Sequence, residues 1–429
     1  MSRERFSTLS QWLAWQEQLH PSAIDLGLAR LNRTLQRLGW RRPACPVITV
    51  GGTNGKGSCV ALLERILASA GYRVGTFTSP HLLRYAERIR IAGREVSDAS
   101  LMAAFERIAD ARGADTLTFF EFNALAALLV FETAGLDAMV LEVGLGGRLD
   151  AANAVDADAA LVSSIALDHC DWLGHDVESI GREKAGIFRP GRPAIFGSRD
   201  MPESIQTVAD QVGARLLRLG RQFDHRRHGE TWSWQGVATR HDALPPPALV
   251  GDIQFDNAAA VLAVLESLSQ RLPIERAAVE QGLREVRLPG RFQILPPRAA
   301  GAGAEWILDV AHNPAAAHTL AHQLAARPTA GRSIAVCGIL GDKDMAGVAE
   351  ELRGRFDEWL VCGLDSARAV PPAELAHRLA EHGANIAMTA PDVVTACEAA
   401  QARAGAGDRI VVFGSFLTVS AALAWLQAG

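Results

Sequence analysis

The chain has 429 residues, enough for two or three domains, and 48% of them are apolar, as in an ordinary globular protein. Its 43 basic and 48 acidic residues leave a formal net charge of −5, which argues against an extended nucleic-acid surface and requires any anionic ligand to be gripped by local positive groups. No apolar run is long enough to span a bilayer, Met1–Arg5 leads into no apolar signal core, and the six cysteines (Cys45, Cys59, Cys170, Cys337, Cys362, Cys397) form no CxxC pair. These features predict a cytoplasmic protein with reduced thiols, without membrane or nucleic-acid partners, and without disulfides or zinc.

In chain order, residues 6–19 carry a helical pattern, 24–28 connect, and 28–38 form a second amphipathic helix. Val47-Ile48-Thr49-Val50 is a short β-branched run that reads as a buried parallel strand; it breaks into Gly51-Gly52-Thr53-Asn54-Gly55-Lys56-Gly57-Ser58, and a helix pattern starts at Cys59. Residues 73–79 read as a second strand ended by Pro80-His81, 87–93 alternates like an exposed strand, and helices follow around 99–111 and 120–133. Core strands are expected at 138–144 and 159–165. The alternation predicts an α/β fold with a mostly parallel sheet and ligands at the strands' C-terminal ends.

Residues 223–235 predict a hairpin, and Leu244-Pro245-Pro246-Pro247 a stiff connection. Helices are expected at 254–268, with an apolar face at Ala258, Val261, Leu262, Leu265 and Leu268, and at 275–285. Arg287-Leu288-Pro289-Gly290-Arg291-Phe292 is the best boundary, dividing a domain 1–288 from a domain 289–429. Beyond it, after a short loop at 300–304, strands are expected at 306–310, 334–338, 358–363, 385–388 and 409–413. They predict a smaller Rossmann-like α/β domain without a phosphate loop of its own.

Strand, glycine loop, lysine, hydroxyl and helix are the layout of a phosphate cradle: glycines let backbone N–H groups face phosphate oxygens, and helix and lysine add positive potential. The spelling departs from the common one, because three residues separate Gly51 from Gly55-Lys56 and Gly57 intervenes before Ser58. An ordinary glycine-rich βα turn is the alternative. Glu142 ends an apolar strand, where a buried carboxylate needs a partner, either Mg²⁺ or Arg148. Ser79 and Asp168-His169 are placed at neighbouring strand ends; a serine there is a metal ligand or a turn former, and a lone histidine is more often structural. Leu117-Thr118-Phe119-Phe120-Glu121 is either core plus a helix-capping acid or an aromatic platform for a flat ring. Cys59, at a helix start, is either an acidified thiol or a small packed residue.

The Gly-Thr-Asn-Gly-Lys-Gly-Ser loop resembles that of the Mur ligase and folylpolyglutamate synthase superfamily, whose members use ATP to join an amino acid to a carboxylate. Leu141-Glu142-Val143-Gly144-Leu145-Gly146-Gly147-Arg148-Leu149-Asp150 is a second match; others are Thr78-Ser79-Pro80-His81-Leu82, Gly181 to Ile187, Leu308 to Pro314 and Val411 to Val419. The resemblance implies ATP bound by Thr53, Asn54, Gly55, Lys56, Gly57, Ser58, Asn257, Arg291 and Asp309. It implies one or two Mg²⁺ ions on Ser79, Glu142 and His169, and admits a monovalent cation such as K⁺. It makes Lys184 a carbamylated lysine beside the metals and places His312 at the amino-acid side. The segments Asp25-Leu26-Gly27-Leu28, Thr118-Phe119-Phe120-Glu121 and Leu149-Asp150-Ala151 resemble the dihydropteroate site of the two-activity bacterial enzymes.

The implied activity is glutamate addition to dihydropteroate and to reduced folates through an acyl phosphate, carried out by a monomer. A folylpolyglutamate synthase without dihydropteroate activity, a kinase acting on a hydroxyl, and a non-catalytic nucleotide-binding regulator are the other readings.

Overall fold

The computed structural model describes residues 6–296 and 303–428, so Met1–Arg5 and most of the 300–304 loop lie outside the described residues. The chain divides into two compact units: Met1–Ile165, Trp172–Ala248 and Phe255–Val286 form the first; Ala166–Asp171, Leu249–Gln254 and Arg287–Gly429 form the second.

The first unit is built on β1 (Val47–Gly51), β2 (Val74–Phe77), β3 (Ile89–Ile91), β4 (Arg94–Glu95), β5 (Ala138–Glu142), β6 (Ala159–Val162), β7 (Pro193–Phe196) and β8 (Arg215–Arg218). They form one sheet in the order β4-β3-β2-β5-β1-β6-β7-β8, with only β3 and β4 antiparallel. The fully buried strand β1 lies between β5 and β6, with Val50 level with Glu142 and Gly51 level with Val162. Parallel strands covered on both faces need apolar residues at every position, which is why β1, β5 and β6 read as unbroken apolar runs. The register brings the loop after β1, Glu142 at the end of β5 and the residues after β2 and β6 to one edge of the sheet. Helix Lys56–Ser69 packs on β1, β2 and β5, and Arg276–Glu285 packs against that helix.

Several elements differ from the sequence reading. The strands β7 and β8 were not distinguished by their short patterns. The expected exposed strand at 87–93 is a short 3₁₀ turn, Tyr85–Arg88, followed by β3, in which Ile89 is fully buried. The expected hairpin has a third strand: β9 (Asp224–His228), β10 (Thr231–Gln235) and β11 (Arg240–Leu244) make an antiparallel sheet. Helix Ile253–Ser267 is buried all round from Ala258 to Leu265, not on one face. Trp234 donates its indole N–H to the Ala259 carbonyl on one side, and Gly197, just past β7, meets Ala260 on another.

The second unit contains β12 (Gln293–Leu295), β13 (Glu305–Leu308), β14 (Ser333–Cys337), β15 (Glu358–Cys362), β16 (Ile386–Ala390) and β17 (Arg409–Phe413), in the order β12-β13-β17-β14-β15-β16. All pair in parallel except β12, which is antiparallel to β13 and was not anticipated. Both sheets and their helices make this the expected mixed α/β fold. No helix among the described residues is long and apolar enough to cross a membrane.

Gly282 is where Arg276–Glu285 meets the helix of the glycine loop: a Cβ there would lie 2.7 Å from Ile66 Cα and 2.9 Å from its nitrogen. Backbone cannot yield as a side chain can. Gly282→Ala is therefore expected to lower unfolding free energy by about 1–3 kcal/mol, read from urea denaturation; an unchanged midpoint would contradict this close approach.

Candidate active site

The chain leaves β1 through Gly52, whose φ is +134° and whose Cβ, if present, would sit 2.0 Å from Ser163 Oγ. The loop's carbonyls are taken from within. Ser163 Oγ donates to Gly51 O (3.2 Å) and Asn54 O (2.6 Å), and Ser164 Oγ donates to Asn54 O (3.0 Å). Lys56 Nζ donates to Gly52 O (2.9 Å) and Thr53 O (3.1 Å), and Cys59 N–H takes Gly55 O (3.0 Å). The first N–H groups of helix Lys56–Ser69 have no intrahelical acceptor, so the cradle presents donors. Asn257 is buried on its helix, with its Oδ1 3.6 Å from Cys59 Sγ and next to Gly55. Burial pushes the Cys59 thiol up, and the Glu142 charge adds to this, which leaves it a packed residue and not an acidified one.

Lys184, 5% exposed on helix Val177–Ala185, donates Nζ to the same Gly52 carbonyl at 3.0 Å. Two lysine nitrogens thus converge on one oxygen. Glu142, 4% exposed, accepts from Ser79 N–H at 3.3 Å, so the ends of the neighbouring strands β2 and β5 bring Ser79 and this carboxylate together. Arg148, the alternative partner for Glu142, pairs instead with Glu183 at 2.9 Å. Hard oxygen donors of this kind suit Mg²⁺. Among the described residues no group of three or more His, Cys, Asp or Glu could hold a metal ion, so a cation here would draw its remaining ligands from phosphate and water. Beyond Ser79, His81 accepts at Nδ1 from Arg88 Nε at 2.8 Å; burial, with the Arg88 charge, brings its pKa down to about 4.

The two segments expected at a flat-ring site are joined through a residue the sequence reading passed over. Arg30 donates Nε to Glu121 Oε2 at 2.7 Å and also bonds Asp25 through its carboxylate and its carbonyl. Leu26, Gly27 and Leu28 lie between. Glu121 also closes a capping box, accepting from Thr118 N–H (2.8 Å) and its hydroxyl (2.9 Å). The Phe119 ring lies near Tyr85, and the Phe120 ring lies 5.6 Å from that of Phe77. Asp150 is 2% exposed and its carboxylate receives the N–H groups of Gly144 (3.0 Å), Leu145 (2.9 Å) and Ala152 (2.9 Å). Burial pushes it up to about 7, against those three donors and the Lys56 charge. Leu149 and Ala151 flank it.

His169 groups with the second unit, whereas Ser79 and Glu142 belong to the first. The strand expected to carry Asp168-His169 ends earlier, at Val162. Asp168 binds Lys343 Nζ (2.6 Å), Asn313 Nδ2 (3.1 Å) and His312 Nε2 (3.4 Å), and Lys343 Nζ lies 3.5 Å from His169 Nε2. Burial alone would raise the Asp168 carboxyl; the His312 bond and the charges of His169 and Lys343 hold it well below the usual carboxylate range. His312 Nδ1 faces the Val310 carbonyl at 2.8 Å. Asp309 accepts from the N–H groups of Phe292 (2.7 Å) and Ala311 (2.8 Å), and Arg291 lies over the Phe416 ring at 5.1 Å.

Sequence reasoning missed Ser163, Ser164, Arg30, Arg88 and Lys343. One signal was available: the chain has three lysines among its 43 basic residues, and they are Lys56, Lys184 and Lys343.

The chain matches the Mur ligase middle domain over residues 50–265 and the Mur ligase glutamate ligase domain over residues 290–416. It is 45% identical to a dihydrofolate synthase/folylpolyglutamate synthase of Escherichia coli (strain K12), the match covering 96% of this chain and 94% of that one. The structure of E. coli FolC in complex with DHPP and ADP superposes with a TM-score of 0.93 at 44% identity, covering 100% of this chain and 99% of the other. A bifunctional folylpolyglutamate synthase/dihydrofolate synthase with Mn, AMPPNP and L-glutamate bound superposes with a TM-score of 0.90 at 45% identity, covering 99% of each chain. The chain belongs to the dihydrofolate synthase/folylpolyglutamate synthase family of Mur ligases.

Proposed function

We propose that this chain is an ATP-dependent ligase that joins L-glutamate to dihydropteroate, giving dihydrofolate, and to reduced folates, giving folylpolyglutamates. The observation that carries this reading is the glycine loop after β1: its carbonyls are tied inward by Ser163, Ser164, Lys56 and Lys184, the Thr53 and Asn54 N–H groups are anchored on Ser164, and the loop leads into the N-terminus of helix Lys56–Ser69. The substrate carboxylate attacks the γ-phosphorus of ATP; the β–γ bridging bond breaks and ADP leaves. The glutamate amine then attacks the acyl carbon, an amide forms, the amine gives up its proton, and inorganic phosphate departs with the bonding pair. Positioning supplies most of the rate, so no serine or cysteine nucleophile is used.

Thr53, Asn54, Gly55, Lys56, Gly57 and Ser58 hold the phosphates, and Asn257, Arg291 and Asp309 hold the rest of the nucleotide. Ser79 and Glu142 hold a divalent cation and His169 a second one; such ions neutralise charge on the phosphates. The pterin lies among Asp25–Leu28, Thr118–Glu121 and Leu149–Ala151. Asp150 shapes the loop after β5 through its three backbone contacts. Residues 1–288 bind ATP and pterin, residues 289–429 bind glutamate near His312, and the enzyme works as a cytoplasmic monomer without nucleic-acid or membrane partners. Carbamylation of Lys184 removes one of two positive charges drawn to the Gly52 carbonyl and puts a carboxylate in its place.

The direct test is ADP release with Mg-ATP, with and without glutamate, using dihydropteroate and then tetrahydrofolate. Glutamate-dependent release is expected with both. Release with tetrahydrofolate alone would reassign the Asp25, Phe120 and Asp150 segments, and phosphate transfer that ignores glutamate would replace a ligase by a kinase.

Lys184→Ala and Lys184→Arg are each expected to lose at least about 100-fold in kcat, with partial rescue of the alanine variant by a small carboxylate such as acetate. Wild-type turnover in the arginine variant, which keeps the charge but cannot form the carbamate, would remove the modification from the mechanism. Asp150→Ala is expected to raise KM for dihydropteroate by about tenfold while leaving the ATP KM within about twofold; equal damage to both would move the pterin elsewhere.

A further inference from the structure

The segment Arg84 to Arg90 carries three arginines, and two of them have carboxylate partners. Arg84 pairs with Glu95 at 3.3 Å, and Arg90 pairs with Glu64. Arg88 is the most buried of the three, 7% exposed, yet no carboxylate among the described residues lies within ion-pair distance of it. Its neighbour Glu87 is already taken by the backbone N–H groups of Leu82 (2.7 Å), Leu83 (2.8 Å) and Arg84 (2.7 Å). A guanidinium removed from water without a counter-anion is costly, and such a cost is normally met by a partner that completes the site.

Arg88 is also held in place. Its carbonyl accepts the Thr78 N–H at 2.9 Å, and its Nε donates to His81 Nδ1 at 2.8 Å. Both contacts fasten it to the loop that carries Ser79. With Nε engaged, the outer edge of the guanidinium, its two terminal nitrogens, has no hydrogen-bond acceptor among the described residues. The guanidinium carbon stands 5.5 Å from the Phe119 ring centroid and 5.9 Å from that of Tyr85, and it feels the charge of Glu142. It therefore lies where the aromatic segment and the Ser79–Glu142 end of the sheet come together. An aromatic acid stacked on one and reacting at the other has its carboxylate at this place.

The geometry points to Arg88 as the residue that binds the substrate carboxylate, with the two terminal nitrogens of its guanidinium on that group while it is delivered to the γ-phosphate. This rests on the ligase reading above and adds a residue to it. An anion that attacks a polyphosphate must be brought up against strong repulsion; a fixed bidentate cation offsets that repulsion and sets the direction of approach. His81 acts as a positioning residue, because it fixes the plane of the guanidinium without itself reaching the substrate.

The test compares 7,8-dihydropteroate with its carboxamide, which has the same ring system and no charge, by calorimetric titration of the full chain. The wild type is expected to bind the acid about 10- to 100-fold more tightly than the amide. Arg88→Gln is expected to bind both alike, with the amide affinity and the Mg-ATP affinity within about threefold of wild type. A merely structural arginine would lower both affinities together, so a retained preference in a folded Arg88→Gln variant overturns the assignment. Should that variant fail to fold, Arg88→Lys keeps a cation in place: a drop of at least about fivefold in the acid-over-amide ratio supports the role, since a point charge lacks the fork, and an unchanged ratio overturns it. If wild type binds both ligands equally, Arg88 is wrong and the ligase reading stands on the ADP assay. If it binds neither, the folate reading fails and this inference fails with it.

Discussion

A loop that presents backbone N–H groups to an anion must dispose of its carbonyl groups, because the two alternate along the same chain. Here every carbonyl from Gly51 to Gly55 has an internal donor: Ser163 on Gly51 and Asn54, Ser164 on Asn54, Lys56 on Gly52 and Thr53, Lys184 on Gly52, and Cys59 N–H on Gly55. Much of the first unit follows from this need. β6 must lie beside β1 so that Ser163 and Ser164 reach the loop, and helix Val177–Ala185 must return to the sheet edge to bring Lys184. Gly52 must lack a side chain because Ser163 occupies that space.

The distribution of lysine fits the same constraint. A chain of net charge −5 that otherwise uses arginine for positive charge keeps lysine at Lys56, Lys184 and Lys343. A lysine nitrogen is compact, can donate to several acceptors around one point, and can be modified. Lys56 uses the second property, bridging two carbonyls of its own loop. Lys343 uses the first, with a side chain 6% exposed that reaches Asp168 at 2.6 Å and His169 at 3.5 Å.

What was legible in the sequence was what is local in it. The run Val47–Val50 into Gly51, and the apolar strand ending on Glu142, each announce their element within about ten residues, and both strands stand where expected. The strands β7, β8, β11 and β12 were not legible, because short strands at a sheet's flank or edge carry weak patterns and owe their state to their neighbours. Helix Ile253–Ser267 shows the same limit: its apolar face was readable, but the burial of its other faces depends on Trp234 and Gly197, distant in sequence. Asp168-His169 follows an apolar run and so reads as a strand end, while its position is set by Lys343, His312 and Asn313 more than a hundred residues away. Arg30 escaped notice for a similar reason. A lone arginine on an amphipathic helix has no signature, and its partner Glu121 is 91 residues on.

Three of the acids show an arrangement that only the structure exposes. Glu87, Asp150 and Glu121 would each attract the positive groups an anionic substrate needs. Glu87 gives its charge to three consecutive N–H groups, and Asp150 to three N–H groups around the loop after β5. Glu121 gives its charge to its own helix start and to Arg30. Backbone N–H groups can satisfy a carboxylate without using up a cation, as they do at Glu87 and Asp150, whereas Glu121 also takes Arg30. These acids therefore fix the loops and the helix start that they accept from. In a protein of net charge −5, an anionic substrate is drawn in by local positive groups and not by the overall charge, so how each acid nearby is satisfied matters.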